Sequence, residues 1–271
     1  MSVAEPAFAA RAAADLPRHL WQAAAFSASL WLLFLLASLV DPREFLGAPV
    51  WAKPQKFAFA VALHFATIAW AAERLPAARA APWLAVLGAL AVISGVLELV
   101  YIGAKAGQGE ASHFNEADAF HAAAYTLMGI GAVILVAIAF AVGWLAWRDR
   151  GALGPGLRLG VGLGFMGGAL GTAGFGFALG GAEGHHFPEQ MPDAATLPLI
   201  GWSAATGDLR PPHFLATHAM QILPAVGWAA DRAGAGRGAA AATVWAATAA
   251  LTAAAAWTAW MAFSGLPLIR L

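Results

Sequence analysis

The sequence predicts an all-α polytopic membrane bundle of seven transmembrane helices, with the N-terminus cytoplasmic and the C-terminus extracytoplasmic. Three observations carry that reading. Hydrophobic residues make up 61% of the 271-residue chain and charged residues 11%, where soluble domains carry roughly 25% charge. Seven separate stretches stay apolar over the about 20 residues that a bilayer crossing needs. Lysine and arginine are shared unevenly between alternate connections, as the positive-inside rule requires. Net charge is zero and cysteine is absent. The first removes the case for a nucleic-acid partner. The second removes disulfides, iron–sulfur clusters and thiolate metal sites, leaving His, Asp, Glu and Met as ligands.

The expected spans are 20–40, 54–72, 83–105, 118–147, 156–180, 212–230 and 239–266. They form a single transmembrane domain over 1–271, with an extracytoplasmic loop at about 181–211. The first is too long for a signal peptide, carries Trp21 and Trp31, and runs into Asp41-Pro42 without a small-residue cleavage site. It therefore reads as a retained span. The second opens on Trp51-Ala52-Lys53-Pro54-Gln55-Lys56-Phe57, with Pro54 suited to the first helical position. Lys53 and Lys56 then lie at the positive end of the helix dipole, which makes sense if they face an anion: a lipid phosphate, a substrate carboxylate or Glu98. His64 lies about 15 Å farther along the helix, on the face of Lys56 and Ala60.

Ser94, Glu98, Tyr101 and Lys105 share one face of the third span. Glu98 would be a neutral carboxylate, a partner of Lys105, or a functional group. Asn115 is expected to cap the fourth span with Asp118 completing a capping-box-like arrangement, and Asp118 or Tyr125 to orient His121. Gly160, Gly164 and Gly168 recur every four residues on the fifth, with Gly167 and Gly171 beside them, a spacing for close helix packing. The sixth follows Gly207-Asp208-Leu209-Arg210-Pro211-Pro212, where Asp208 and Arg210 can pair, and Pro224 should kink it. The seventh is mostly alanine with Trp245, Trp257 and Trp260, an interfacial aromatic belt. No internal repeat is obvious, so nothing supports a transporter built from inverted halves.

Nine basic residues fall on one side (Arg11, Arg18, Arg74, Arg79, Arg148, Arg150, Arg158, Arg232, Arg237) and six on the other (Arg43, Lys53, Lys56, Lys105, Arg210, Arg270). The side with six also holds the loop acids Asp41, Glu44, Glu110, Glu116, Asp118, Glu183, Glu189, Asp193 and Asp208. Elaborate loops mark the working side. Four of the eight histidines lie in 184–221 together with Asp208 and Arg210. Glu98, His121 and His218 all sit about 9–10 Å below that surface. Imidazoles and a carboxylate from separate spans are therefore expected to meet in one outer pocket.

Three readings follow. In the first, His113, His213 and His218, completed by Glu98 or Asp208, hold Zn or Cu and hydrolyse a lipid-like or anionic substrate. Glu98, Asp208 and Arg210 are then catalytic candidates, and Lys53 and Lys56 bind the anion. His213 and His218 are about 140° apart on the helix, so they are not the i, i+4 pair of a helical zinc motif. The second is a b-type haem clamped by His121 with His218 or His64, with Gln221 nearby. The third is a proton or ion channel, transporter or sensor using Glu98 and His64. It has to contend with inner halves of the spans that lack charge apart from Glu73 and Arg74.

Three motifs together carry a resemblance: Trp51-x-Lys53-Pro54-x-Lys56-Phe57; Glu98 followed by Ser112-His113-Phe114-Asn115; and Gly201-Trp202-Ser203 with Gly207-Asp208-Leu209-Arg210-x-x-His213-Phe214-x-x-x-His218-x-x-Gln221. Over about 51–224 the chain resembles a family of uncharacterised bacterial multi-pass membrane proteins. The resemblance implies a place in the bacterial cytoplasmic (inner) membrane, lipid as a neighbour and scope for oligomers, and names no reaction. Retinal proteins are excluded, because the lysines are Lys53, Lys56 and Lys105 and none lies in the last span. The membrane hydrolases related to alkaline ceramidases and adiponectin receptors use three His with an Asp and a Ser. They are similar in logic and not in motif, since the late pair here is His-x-x-x-x-His.

Overall fold

A computed structural model describes residues 4–181, 184–188 and 195–270, with side chains from residue 11 onward. Glu183, Glu189 and Asp193 of the expected outer acids lie outside the described residues. Among those described are eight helices: α1 (Ala4–Val40), α2 (Ala52–Glu73), α3 (Pro76–Arg79), α4 (Pro82–Gln108), α5 (Ala119–Arg148), α6 (Pro155–Gly181), α7 (Arg210–Arg232) and α8 (Arg237–Phe263). Two short antiparallel ribbons accompany them, β1 (Glu44–Phe45) with β2 (Ala48–Pro49) and β3 (His186–Phe187) with β4 (Gly207–Asp208). Every expected span falls on a helix. The stretch 11–40 of α1 and helices α4, α5, α6 and α8, five in all, are long and apolar enough to cross a membrane. α2 and α7, at 22 and 23 residues, have the length but carry more polar side chains.

The polarity of α4 is inverted relative to a soluble helix. Val86, Leu90, Ile93, Leu97 and Val100 make an exposed apolar stripe, with Leu97 64% exposed, while Glu98 and Lys105 are each 8% exposed. Oily side chains outward and ionisable ones inward are what lipid imposes.

Packing divides the chain into two compact units, after Val142 within α5. In the first, α1, α2 and α4 pack on one another around Leu16, Leu20, Phe65, Ile68 and Leu99. α4 presents Gly88 to Leu16, Gly95 to Phe65 and Gly103 to Phe34. In the second, α6, α7 and α8 pack on one another. The glycine stripe of α6 lies directly on α7. A Cβ at Gly160 would strike the Leu223 carbonyl, at Gly164 it would lie 2.7 Å from the Ala219 carbonyl, and at Gly168 2.7 Å from Met220 Cγ, whereas one at Gly167 would meet open space. The stripe is thus a packing surface.

The two units repeat one plan, a correction to the expectation that the chain lacks an internal repeat. α2 opens Lys53-Pro54-x-Lys56-Phe57, and α7 opens Arg210-Pro211-x-His213-Phe214. α2 ends Trp70-Ala71-Ala72-Glu73-Arg74 with Arg79 five residues on, and α7 ends Trp228-Ala229-Ala230-Asp231-Arg232 with Arg237 five residues on. Both helices start from an αR residue just after a ribbon strand, Trp51 at φ −85° and Leu209 at φ −79°. Arg74 lies over the Trp70 ring at 4.2 Å and Arg232 over Trp228 at 5.3 Å. The acid ties the middle helix to the first helix of its unit each time. Glu73 accepts from Trp21 Nε1 (2.8 Å), and Asp231 accepts the Gly156 and Leu157 N–H groups (both 2.8 Å) at the start of α6.

Candidate functional site

The end of α4 and the start of α5 hold a chain of charges that closes on itself. Lys105 Nζ, 16 residues before His121, donates to Gln108 Oε1 (3.0 Å), Glu110 Oε2 (2.7 Å) and His121 Nε2 (2.8 Å). Those three acceptors use all three ammonium hydrogens. Because His121 Nε2 accepts, its proton sits on Nδ1, which faces Asp118 Oδ2 at 2.9 Å. Lys105 thus pairs with Glu110 and not with Glu98, correcting the sequence expectation. The acid in the loop lies closer to the ammonium than the acid two turns down the helix.

Capping differs as well. Asp118, not Asn115, caps α5, accepting the Phe120 and His121 N–H groups at 2.9 and 3.0 Å. Asn115 bonds within the loop, to Ala111 O and the Ala117 N–H. Lys105 holds the Glu110 carboxyl below its ordinary value, and the His121 N–H does the same for Asp118. Asp118 orients His121 as expected, leaving neither ring nitrogen free.

Two turns deeper on α4, the polar groups are not closed. Glu98 is buried, and among the described residues its ion-pair contact is with His113 Nε2 at 3.7 Å, longer than a direct hydrogen bond. Lys53, half-buried, lies within electrostatic reach of both His113 and Glu98. Its ammonium lies 5.7 Å from the Phe57 ring and makes no ion pair among the described residues. Tyr101, three residues past Glu98 and so on the same face of α4, has a buried hydroxyl without a hydrogen-bond partner among the described residues. Phe57 and Tyr125 flank the His113 ring at 5.4 and 6.1 Å. Burial lowers the His113 pKa, opposed by Glu98. Pro54 is the third residue of α2 rather than the first, which keeps Lys53 within the opening turn. Lys56, a turn on, is exposed. His64 Nε2 bonds the Leu135 carbonyl at 2.9 Å and stacks obliquely near Phe65.

In the second unit, Asp208 is the centre of a saturated knot. Its side chain is 1% exposed. One oxygen accepts the Arg210 N–H and Nε (both 2.9 Å), and the other accepts the Ser203 N–H (2.8 Å) and Arg210 Nη2 (2.6 Å). Arg210 Nη2 also reaches Gly201 O (2.8 Å) and His186 Nε2 (3.2 Å). Burial pushes the Asp208 carboxyl up, but Arg210 and the two N–H groups outweigh it and hold it below 3.8. The knot joins the 195–209 loop, β3 and the start of α7. A similar Asp-x-Arg pair occurs in the first unit. Asp41 binds Arg43 (2.7 Å) and Trp51 Nε1 (2.8 Å), which hold its carboxyl far below the usual range.

On α7, Thr217 Oγ1 bonds the His213 carbonyl (2.8 Å) and meets Thr172 Oγ1 (3.0 Å), while His213 Nδ1 is buried without a hydrogen-bond partner among the described residues. His218 Nδ1 meets Gln221 Oε1 at 3.1 Å and its ring lies 4.2 Å from that of Phe214. Among the described residues no group of three or more His, Asp or Glu side chains is placed to hold a metal ion. The sequence does not signal the Asp41–Trp51 contact, and it offers Tyr101 only as part of the Glu98 face; burial adds that its hydroxyl has no hydrogen-bond partner among the described residues. Comparison with known proteins finds no match: no family model, no curated protein and no solved structure.

Proposed function

We propose that the chain is a seven-span transporter of the bacterial inner membrane, N-terminus cytoplasmic and C-terminus outside, made of two three-helix repeats joined through α5. Lys53, Glu98 and His113 form its outer polar station, which takes up a small anion together with a proton. The repeated Lys/Arg-Pro-x-Lys/His-Phe and Trp-Ala-Ala-Glu/Asp-Arg motifs carry this reading, because many transporter folds are built from internal repeats that show only weak sequence symmetry. Lys53 supplies a positive charge that has no ion-pair partner among the described residues. Glu98 and His113 are the neighbouring groups able to exchange a proton.

The metal-hydrolase reading with Zn or Cu has less support, since His218 is held by Gln221 and no metal-ready group is present among the described residues. The haem reading has less again, with both nitrogens of His121 and one of His64 already engaged. The test uses proteoliposomes enclosing a pH-sensitive dye, challenged with small carboxylates and phosphate esters. At least one anion should move protons, and Lys53→Met or Glu98→Gln should abolish the response. Full responses in both variants would dismiss the station. No response to any anion, with stoichiometric zinc or copper in the purified protein, would favour the metal reading instead.

A further inference from the structure

The turn between α5 and α6 has a cation-rich cavity of about 610 Å³, lined by Trp144, Trp147, Arg148, Asp149, Arg150 and Arg158. Three guanidinium groups meet there with one acid, and no ion pair links them. Asp149 instead turns one oxygen to the Gly151, Ala152 and Leu153 N–H groups at 3.2, 3.0 and 2.9 Å, which shapes the turn. Arg148 lies over the Trp144 ring, 4.2 Å from its centroid. Arg158 spends one N–H on the Trp147 carbonyl at 3.1 Å. Arg150 has no partner among the described residues. A guanidinium carries five N–H donors in a fork that matches phosphate oxygens, so most of the donor capacity at this cavity is unspent.

The surroundings select the ligand. α5 and α6 are both apolar enough to cross a bilayer, and the cavity lies at their arginine-bearing ends, with two tryptophans at the level where headgroups and aromatic belts meet. We propose that this cavity binds the phosphodiester headgroup of an anionic phospholipid, with Arg148, Arg150 and Arg158 as phosphate donors and the two indoles against the glycerol and upper acyl region. Basic pockets at helix ends on the arginine-rich side recognise such headgroups. The site rests on the membrane reading and not on transport. A comparable cavity of about 620 Å³ in the first unit includes Arg18 and Arg79 but also Glu73, which makes it the weaker anion trap.

The test is thermal melting of the full chain in neutral detergent, titrated with short-chain phosphatidylglycerol, phosphatidylcholine or inorganic phosphate. Phosphatidylglycerol should raise Tm in a saturable way, with phosphatidylcholine and inorganic phosphate producing no comparable shift. Arg150→Gln with Arg158→Gln should weaken the apparent affinity roughly tenfold or more. Arg150→Gln alone removes no internal bond, so it should keep the ligand-free Tm while weakening binding, separating recognition from misfolding. An equal shift with inorganic phosphate or phosphatidylcholine, no shift in the parent protein, or an unchanged affinity in these variants would overturn the proposal.

Discussion

Asp208 and Glu98 are both buried carboxylates beside basic side chains, yet their surroundings differ in kind. Asp208 receives hydrogen bonds on both oxygens and holds Arg210 in a forked pair. Glu98 has His113 at 3.7 Å and Lys53 within electrostatic reach, with no ion pair to Lys53 among the described residues. A buried charge is tolerated when its hydrogen-bonding capacity is filled. The first cluster meets that condition from within the fold and reads as a lock. The second leaves capacity for something outside the fold, with the Tyr101 hydroxyl adding a further open donor. Burial and residue type alone do not separate structural from functional ionisable groups in an oily chain; saturation does.

The largest expected effect tests the lock. Asp208→Ala strands a guanidinium and the Ser203 N–H, and removing one member of a buried pair costs about 3–5 kcal/mol. A melt in detergent should show a large fall in Tm, and an unchanged Tm would reduce the knot to a surface contact. Next comes the packing contrast on α6. Gly160→Ala must push on the α7 backbone and should cost about 1–3 kcal/mol. Gly167→Ala faces open space and should be neutral or stabilising by up to about 1 kcal/mol. Equal losses at both positions would contradict the packed stripe.

Acid sharpens the comparison more gently. The Asp208 carboxyl is lowered from 3.8 in the fold, so its contribution is fully present above about pH 4 and is lost as pH falls through the lower folded value. Fluorescence of Trp202, which sits 5.6 Å from the Phe214 ring, should hold at pH 5 and change only below about pH 4. A transition near pH 6 would implicate a histidine instead.

Helix positions were legible in the sequence because a span is a long apolar run, and each expected span lies on a helix. The ends were less so. α1 reaches back to Ala4 through an alanine-rich stretch that favours helix without being hydrophobic enough to mark a span. Asn115 and Asp118 are both good caps, and only the observed bonds to Asp118 decide between them. The repeat was hidden because 12 residues separate Phe57 from Trp70 but 13 separate Phe214 from Trp228, and the alanine and glycine background between them aligns with anything. The polar residues of the site were picked out individually by their cost in lipid. Their pairing was not legible, since Lys105 has acids on both sides in sequence and spacing does not say which one the loop brings near.

The most direct measurement is the melting of two matched substitutions that remove a charge while keeping shape, Asp208→Asn and Glu98→Gln, compared with the parent protein in the same detergent near pH 7. A locked carboxylate in one unit and an unsaturated one in the other predict a clear fall in Tm for Asp208→Asn and an unchanged or raised Tm for Glu98→Gln. Equal losses in the two variants, or a larger loss in Glu98→Gln, would contradict it.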